Sequence, residues 1–330
     1  MKDSALRLNI LIVTPAKPGS TMGNRITAMR WARLLRDLGH RVTIANDFDG
    51  KPRDLMLALH AVKSGDAIHA FRGAFLGRPV GVLLTGTDLY VDAAAGAPIL
   101  GTLEIADALV VLQPQTINDL PEHLRAKARV IYQSIEPLPN SRSGSKRGGF
   151  EICVLAHLRA VKDPLRAALA TRLLPESSKI EVYGAGLVLD EELGSSAKQE
   201  EKANRRFHWL GALSHRRTLA LLARCKALVV SSLSEGGPNV ISEAVVAGKP
   251  VLATRVSGNI GLLGKSYEGY FEPGDTAGLA KLLLRCETDG KFYGRLCQQV
   301  AKLVPLFEPQ RERQALAQLV SDLTSSTEPG

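Results

Sequence analysis

The chain has 330 residues, of which 45% are hydrophobic and 23% charged, so it can bury about two domain cores and is not globally disordered. No apolar run reaches the ~18 residues of a membrane span, and the four cysteines lack CxxC spacing or the density of a disulfide scaffold. The net charge of +9 is spread out, without the basic runs and interleaved aromatics of a nucleic-acid groove. We therefore expect a reduced, cytoplasmic protein that binds no nucleic acid and does not associate stably with membranes.

Short apolar runs alternate with helical patterns in the first half of the chain. Strands are predicted at 8–13, 41–45, 54–59, 79–84, 108–112 and 129–132. Between the first two, Ala28, Trp31 and Leu35 recur at helical spacing, and Gly39 stands where a helix over 24–38 would end. Strands that alternate with helices predict βαβ units and a parallel sheet.

The second half repeats this pattern after a segment that cannot form a core. Residues 136–149 are rich in proline, glycine, serine and basic residues, which predicts a linker. Further strands are predicted at 150–155, 179–183, 207–210, 227–231, 250–253 and 269–271. Helices are predicted at 164–174, 189–204, 215–225, 239–247, 276–288, 291–303 and 310–323.

The alternation predicts an α/β protein with two Rossmann-like parallel-sheet domains. The expected division is an N-terminal domain over 1–135, the linker, a C-terminal domain over 150–305 and a C-terminal helix within 306–330. Ligands of such sheets bind outside the carboxyl ends of the strands, so we expect a site in a cleft that the two domains face.

The sharpest motif is the segment from Ser231 to Glu243, which follows a predicted strand. Its Gly236-Gly237-Pro238 turn would leave backbone amides at the positive end of the next helix, where a phosphate binds. These amides belong to Gly237, Asn239 and Val240. Glu235 could then reach a hexose hydroxyl, and Glu243 could accept two hydrogen bonds from a ribose diol. On spacing alone, a glycine turn that leads into an ordinary helix is an equally good interpretation.

The motif E-G-G-P-x-V-x-x-E, with its glutamates at 235 and 243, resembles the donor site of the retaining GT-B glycosyltransferases of family 4. Further matches follow in the expected order at His157–Lys162, Tyr183–Gly186, Trp209–Gly211, Gly248–Thr254 and Glu272–Asp275. The resemblance implies a GT-B fold, a nucleotide-sugar donor in the second domain and a catalytic role for Glu235. It also implies donor binding by Gly184, Gly236, Gly237, Pro238, Asn239, Val240 and Glu243.

Arg159 and Lys162 match the Arg/Lys pair that holds the donor diphosphate in that family. Breaking the anomeric bond leaves charge on a nucleotide diphosphate, which requires a metal or fixed cations. The pair therefore predicts a catalytic role for both residues and no metal. The Asp47-Phe48-Asp49 tripeptide fits the DxD pattern of metal-dependent GT-A enzymes, but we interpret it as surface carboxylates in a loop after the second strand.

The first helix opens with Gly23-Asn24-Arg25, where family 4 enzymes place a glycine-rich loop near the donor phosphate and the acceptor. A helix start with an arginine suits an anion, although an ordinary helix start remains an alternative. His60 ends the third predicted strand, and a structural role is as well supported there as a catalytic one. We expect it to orient or neutralise a group rather than abstract a proton.

The fourth predicted strand ends in Thr85-Gly86-Thr87-Asp88, where family 4 commonly has His-Gly-Ser/Thr-Asp. Thr85 replaces the histidine, which argues against a conventional sugar or alcohol acceptor. A nucleophile that is already ionised at neutral pH would need no base. The acceptor-binding residues implied by the resemblance are Asn24, Arg25, Thr85, Thr87 and Asp88, with Gly23 on the donor side.

A narrower resemblance spans both predicted domains. The segments Gly23–Arg33, Ala58–Ala61, Leu84–Tyr90, Leu109–Gln113, Leu124–Ser134, His157–Lys162 and Gly258–Phe271 resemble the selenosugar synthases of selenoneine biosynthesis. Those enzymes join selenophosphate to the anomeric carbon of a UDP-sugar. The resemblance implies a UDP-hexose donor of the glucose or N-acetylglucosamine type, a small anionic acceptor and no cofactor.

Two other functions remain open at this point. The chain could be a family 4 glycosyltransferase with a carbohydrate or lipid-linked acceptor, or a non-catalytic nucleotide-sugar binding protein that keeps Glu243 and dispenses with Glu235 and His60. A dinucleotide-dependent oxidoreductase is disfavoured, because no G-x-G-x-x-G motif follows the first predicted strand.

Overall fold

The computed structural model describes residues 7–20, 22–93, 96, 98–136 and 149–325. Its contacts divide the chain into two compact units. The first combines the residues up to Ser134 with those from Glu308 onward, and the second extends from Ile135 to Phe307. Residues 137–148 of the predicted linker and residues 326–330 of the predicted C-terminal segment lie outside the described residues.

The first unit is built on a six-stranded parallel sheet in the order β2-β1-β3-β4-β5-β6. Its strands are β1 (Asn9–Val13), β2 (Arg41–Ala45), β3 (Leu55–Leu59), β4 (Val80–Leu84), β5 (Ala108–Val111) and β6 (Ala128–Val130). Its first helices are α1 (Gly23–Asp37), α2 (Gly65–Ala74), α3 (Leu100–Ile105) and α4 (Gln115–Asp119). The six predicted strands and the predicted first helix are confirmed.

Helices cover both faces of this sheet, because its strands are apolar on both sides. Successive residues of β1 alternate between two cores: Ile10 and Ile12 belong to one core, and Leu11 and Val13 to the other. The first core contains Trp31 of α1, and the second contains residues of α2. The side chains of the strands are therefore buried in the two cores, so polar functional groups are expected in the loops at the strand ends.

The last helix of the chain belongs to the first unit. It spans Pro309–Ser325 and packs against α1 through a buried cluster of leucines. The carboxylate of Glu312 accepts hydrogen bonds from the side chains of Arg30, Trp31 and Ser134, with the Trp31 Nε1–Glu312 Oε1 distance 2.9 Å. The helix predicted at 310–323 is thus present, and a buried carboxylate with several hydrogen-bond donors holds it against α1.

The second unit also contains a six-stranded parallel sheet, in the order β12-β11-β10-β7-β8-β9. Its strands are β7 (Phe150–Leu155), β8 (Ile180–Ala185), β9 (Phe207–Trp209), β10 (Ala227–Val230), β11 (Val251–Thr254) and β12 (Tyr270–Phe271). All six lie where the sequence predicts strands. The α/β class with two Rossmann-like sheets is therefore confirmed.

The second unit has seven α-helices among its described residues. They are α5 (Arg166–Thr171), α6 (Glu191–Ala203), α7 (His215–Arg224), α8 (Asn239–Val246), α9 (Ser257–Leu263), α10 (Thr276–Thr288) and α11 (Gly290–Ala301), and the Pro309–Ser325 helix is α12. The sequence predicted all of these except α9, whose two glycines and seven residues obscure the helical pattern. Across the described parts of both units, no helix combines the length and apolarity needed to cross a membrane.

Candidate functional site

An ion pair joins two strand-end loops of the second unit. Lys162 follows β7, Glu235 follows β10, and the Lys162 Nζ–Glu235 Oε1 distance is 2.6 Å. The Glu235 side chain is 8% exposed, and the hydroxyl of Ser232 donates a second hydrogen bond of 2.6 Å to the same oxygen. Two of the predicted catalytic residues are thus in direct contact, although 73 residues separate them in the chain.

Main-chain hydrogen bonds hold these two loops together. The Leu233 N–H donates to the Val161 carbonyl at 2.8 Å, and the Ser231 hydroxyl donates to the Asp163 carbonyl at 2.7 Å. Asp163 has φ of 43°, a left-handed conformation that turns the chain after Lys162. The position of the Lys162 ammonium group relative to Glu235 is therefore fixed by the backbone as well as by the ion pair.

Helix α9 supports the Glu235 loop from the other side. A Cβ atom at Gly258 would lie 2.2 Å from the Glu235 carbonyl oxygen, so only glycine allows this approach. The hydroxyl of Thr254 donates to the Ser232 carbonyl at 2.5 Å, and the Asn259 amide group donates to the Thr254 hydroxyl at 3.1 Å. The sequence motifs included Gly258 but did not reveal this supporting role.

The loop leads directly into α8, as predicted. Asn239 is the first helical residue and Pro238 precedes it, so the first amides of α8 have no carbonyl one turn before them. Gly236 and Gly237 lie in the turn before Pro238, and Val240 follows Asn239 in the first turn. The side-chain oxygen of Asn239 is buried and accepts no hydrogen bond within the described chain.

Glu243 lies one turn into α8 and is largely buried. Its side chain is 14% exposed, and its Oε1 lies 3.9 Å from Nδ1 of the exposed His215 at the start of α7. Its proposed role as the ribose ligand is not tested by these contacts and stays a prediction.

Arg159 lies in an extended conformation just before the turn that contains Lys162. No ion pair to another described residue is present for its guanidinium group. Burial lowers the pKa of the neighbouring His157, and the charges of Lys162 and Arg159 lower it further. Both cations therefore lie near a neutral imidazole, whose Nδ1 accepts the Leu187 N–H at 3.1 Å.

The glycines at the end of β8 are explained by close packing. A Cβ at Gly184 would lie 2.8 Å from the Trp209 indole, and one at Gly186 would lie 2.1 Å from the Ala156 carbonyl oxygen. Packing alone therefore requires glycine at both positions, and a donor-binding role of Gly184 stays a prediction.

The candidate residues that follow β3 and β4 in the first unit come together. His60 is 1% exposed and has φ of 75°. Its Nδ1 accepts the Lys63 N–H at 3.2 Å, so in the neutral ring the proton lies on Nε2, which donates to the Thr87 hydroxyl at 3.1 Å. Burial lowers the pKa of His60, opposed by Asp88 and Asp92 and assisted by Lys63. A neutral ring with both nitrogens engaged is poorly suited to act as a base, and the role of His60 in the reaction stays a prediction.

Asp88 organises the loop after β4. Its fully buried carboxylate accepts four backbone N–H groups, those of Ala61, Thr85, Gly86 and Leu89, at 2.8–3.1 Å. The predicted acceptor contact of Asp88 is not tested, but its carboxylate already positions the backbone of the loop. The hydroxyl of Thr85 is buried and makes no hydrogen bond within the described residues.

An anion site is predicted at the start of α1, and it stays a prediction. Gly23 is exposed, and the first turn has neither an acidic residue nor a side-chain cap. The Nε of Arg25 is buried and has no hydrogen-bond partner in the described part of the chain. Asn24 is the second residue of this turn. Among the described residues, no hydrogen bond or ion pair joins Gly23, Asn24 or Arg25 to His60.

The Asp47-Phe48-Asp49 tripeptide has exposed carboxylates, as expected from its loop position. Asp49 pairs with Arg53 at 3.2 Å. Desolvation raises the pKa of Asp49, but a backbone hydrogen bond from Lys51 and the charges of Arg53 and Lys51 outweigh it, so the pKa lies below its usual value. Phe48 packs edge-on against Phe71 at a centroid distance of 5.4 Å. This phenylalanine therefore anchors the loop to the core.

Part of the second half of the chain matches a known family model. The family model described as "Glycosyl transferases group 1" matches residues 140–302, just under half of the chain. The matched range contains the Lys162–Glu235 pair and the whole of α8.

Solved structures match nearly the whole chain. HepE of Anabaena, in a complex with UDP-glucose, has a TM-score of 0.75 at 17% identity, covering 96% of this chain and 100% of that one. Sucrose-phosphate synthase of Thermosynechococcus elongatus has a TM-score of 0.77 at 16% identity, covering 97% and 100%. The α,α-trehalose 6-phosphate synthase of Burkholderia multivorans has a TM-score of 0.67 at 12% identity, covering 85% and 73%. Residues 140–302 thus match the group 1 glycosyltransferase family, and nearly the whole chain shares the GT-B fold of these structures.

Proposed function

We propose that the enzyme transfers a hexose from a UDP-sugar to selenophosphate, forms a carbon–selenium bond and releases UDP. The observation that supports this most is the Lys162–Glu235 pair of 2.6 Å beside the start of α8. It provides one cation and one carboxylate where a sugar diphosphate would need both. The complexes of HepE with UDP-glucose and with UDP support a uridine nucleotide as the donor.

In this proposal the second unit binds the donor. Lys162 and Arg159 stabilise the charge that develops on the diphosphate, so the reaction requires no metal. The first amides of α8 bind a phosphate oxygen. Glu235 accepts a hydrogen bond from a hexose hydroxyl, and Glu243 accepts those of the ribose diol.

The acceptor binds at the start of α1 in the first unit. The positive end of a fifteen-residue helix suits an oxyanion, and so does the Nε of Arg25, which has no hydrogen-bond partner among the described residues. Selenium attacks the anomeric carbon, the bond from that carbon to the diphosphate oxygen breaks, and its electron pair leaves on UDP. The nucleophile is already ionised, which agrees with the absence of an available base nitrogen on His60.

A second candidate is transfer to a carbohydrate hydroxyl, as in the wider family. One observation favours it: Asp92, beside His60, has a carboxylate oxygen without a hydrogen-bond donor among the described residues. A hydroxyl group could donate to that oxygen, whereas an anionic acceptor would be repelled by it.

The decisive experiment incubates the purified enzyme with UDP-glucose or UDP-N-acetylglucosamine and one acceptor at a time. Selenophosphate, thiophosphate, phosphate and a free hexose are compared, and UDP release and product mass are measured. The proposal expects a selenium-containing sugar product with selenophosphate. UDP release with the hexose but not with selenophosphate would instead support the second candidate.

A further inference from the structure

The first unit contains a carboxylate at the carboxyl edge of its sheet that no sequence motif explains. Asp92 is the last residue of a π-helical turn, Asp88–Asp92, which follows β4. Its side chain is 25% exposed, but its Oδ2 is buried and accepts no hydrogen bond from the described residues. Buried polar atoms nearly always have a partner, and π-helical turns are frequent at functional sites. Both features point to a ligand.

His60 determines where this carboxylate lies. Asp92 Oδ2 is 3.3 Å from His60 Nε2. The Nε2–H donates to the Thr87 hydroxyl, however, and makes no hydrogen bond to Asp92. The imidazole is 1% exposed and has its other nitrogen engaged by Lys63 N–H. His60 is therefore in no position to contact a substrate itself. It holds Thr87 and Asp92 in place, and within the described part of the chain the Asp92 Oδ2 has no hydrogen-bond donor.

The neighbouring charges define what Asp92 can bind. The carboxylate of Asp88 is satisfied by four backbone N–H groups, so it does not compete for a ligand. The backbone N–H of Lys63 donates to His60, and among the described residues the Lys63 ammonium group forms no ion pair with Asp92. Asp92 lies 3.3 Å from His60 Nε2, but a neutral imidazole carries no charge to offset the carboxylate. Such a carboxylate repels phosphate oxygens and accepts hydrogen bonds from hydroxyl groups. The buried hydroxyl of Thr85, which also lacks a partner among the described residues, lies at the same edge.

We propose that Asp92 is a substrate-contacting residue that accepts a hydrogen bond from a hydroxyl group, either of the transferred hexose or of the acceptor. His60 and Thr87 are its positioning residues. This inference rests on the proposed function, since it requires a sugar substrate. The hydroxyl group would then bind at the loops after β3 and β4, which contain His60 and Asp92, and the oxyanion would bind at the start of α1.

The test compares Asp92→Asn with wild type and with Asp66→Asn, which removes an exposed carboxylate from α2. Three quantities are measured: UDP affinity by calorimetry, kcat/KM for hydrolysis of the UDP-sugar without acceptor, and kcat/KM for transfer. We expect unchanged UDP affinity in Asp92→Asn, because UDP contains no hexose. We expect a loss of about ten- to a hundredfold in kcat/KM, the scale of one hydrogen bond to a charged group. Asp66→Asn should match wild type.

The two reactions distinguish the two sources of the hydroxyl. If it belongs to the hexose, hydrolysis and transfer both lose kcat/KM for the UDP-sugar. If it belongs to the acceptor, hydrolysis is unchanged and only transfer to a hydroxyl-bearing acceptor declines. Unchanged kcat/KM in both reactions would overturn the inference alone. A wild-type enzyme that releases no UDP from any UDP-sugar would overturn the proposed function, and this inference with it.

A second variant tests the positioning role. Thr87→Val removes the acceptor of the His60 Nε2–H and should reproduce part of the kcat/KM loss, while Thr87→Ser should restore it. Equal activities of Thr87→Val, Thr87→Ser and wild type would show that the His60 arrangement does not position Asp92.

Discussion

Lys162 and Glu235 form a 2.6 Å ion pair in which the glutamate side chain is 8% exposed and the lysine side chain 28% exposed. A pair that is buried to this extent depends on both partners, because removing one leaves an uncompensated charge. The same two residues are those on which the donor chemistry is proposed to depend. Because the two side chains are in contact, the proposed site for the leaving group and the proposed site for the sugar depend on each other's position.

Removing either cation should slow the reaction without abolishing folding. Lys162→Ala and Arg159→Ala are each expected to lower kcat by about ten- to a thousandfold, the scale for loss of one electrostatic stabiliser. Lys198→Ala, on the exposed face of α6, serves as the control and should retain full activity. Activity of the wild type should persist after EDTA treatment. Dependence on added magnesium or manganese would contradict the role assigned to the two cations.

Glu243 should determine affinity for the nucleotide. Loss of its hydrogen bonds to a ribose diol in Glu243→Ala should weaken UDP binding by about 1.5–3 kcal/mol, as for hydrogen bonds to a charged group. Isothermal titration calorimetry measures this directly. Glu192→Ala, which removes an exposed carboxylate of α6, is the matched control. Equal UDP affinities of Glu243→Ala and wild type would exclude the ribose contact.

The approach of α9 to the Glu235 loop should be sensitive to one methyl group. In Gly258→Ala the new Cβ would lie 2.2 Å from the Glu235 carbonyl oxygen, so the loop must move. We expect a lower kcat together with a loss of about 1–3 kcal/mol in the free energy of unfolding, the usual cost of overpacking.

Gly294→Ala in α11 is the control for this substitution. A Cβ there meets nothing within 4 Å, and alanine should stabilise the helix by about 0.5–1 kcal/mol. Urea unfolding and steady-state kinetics measure both effects. If Gly258→Ala has wild-type kcat, the loop position does not matter for the reaction.

The buried His60 should make stability depend on pH. Because burial lowers its pKa below 6.5, the unfolded chain binds a proton there more readily than the folded chain does. Its contribution to the free energy of unfolding is therefore complete above about pH 6.5 and is lost as the pH decreases below that value, at no more than about 1.4 kcal/mol per pH unit.

His60→Asn removes this titration and retains a side chain that tolerates the left-handed φ of 75°. Between pH 7.5 and pH 5.5, the wild type should lose more of its urea-unfolding free energy than the variant. His157, whose pKa is also lowered by burial, leaves a residual pH dependence in both proteins. Identical pH dependence of the two would mean that His60 titrates alike in the folded and unfolded chains.

Arg25 should affect the acceptor and not the nucleotide. Arg25→Ala is expected to raise KM for selenophosphate by about ten- to a hundredfold, since it removes a charge-assisted contact, and to leave UDP affinity unchanged. Arg41→Ala changes an exposed arginine at the opposite, amino end of β2 and should match wild type. Weaker UDP binding with an unchanged acceptor KM would place the anion site elsewhere.

Much of this fold is predictable from the sequence, because parallel strands buried on both faces form short apolar runs between glycine-rich loops. The Lys162–Glu235 contact follows less directly: the strand order brings the ends of β7 and β10 together, and the sequence contains no signal of that order. Helix α9 is absent from the prediction because glycine weakens the helical pattern, while the same Gly258 is required by packing against Glu235.

Asp92 could not have been found by pattern. A π-helical turn has no distinctive spacing, and the left-handed conformation of His60 that brings its ring to Asp92 is unusual for a residue other than glycine. Conversely, the tautomer of His60 followed only from the Lys63 N–H contact. Local conformations of this kind depend on tertiary packing, which periodicity does not describe.

The most direct test of the account is the stoichiometry of the reaction in the presence of EDTA. The enzyme is mixed with a UDP-hexose and selenophosphate, and UDP is quantified by chromatography while the sugar product is quantified by mass spectrometry. We predict one selenium-containing hexose product for each UDP released, with both greatly reduced in Lys162→Ala. UDP release without any selenium-containing sugar would contradict the acceptor assignment, and no UDP release from any UDP-hexose would contradict the donor assignment.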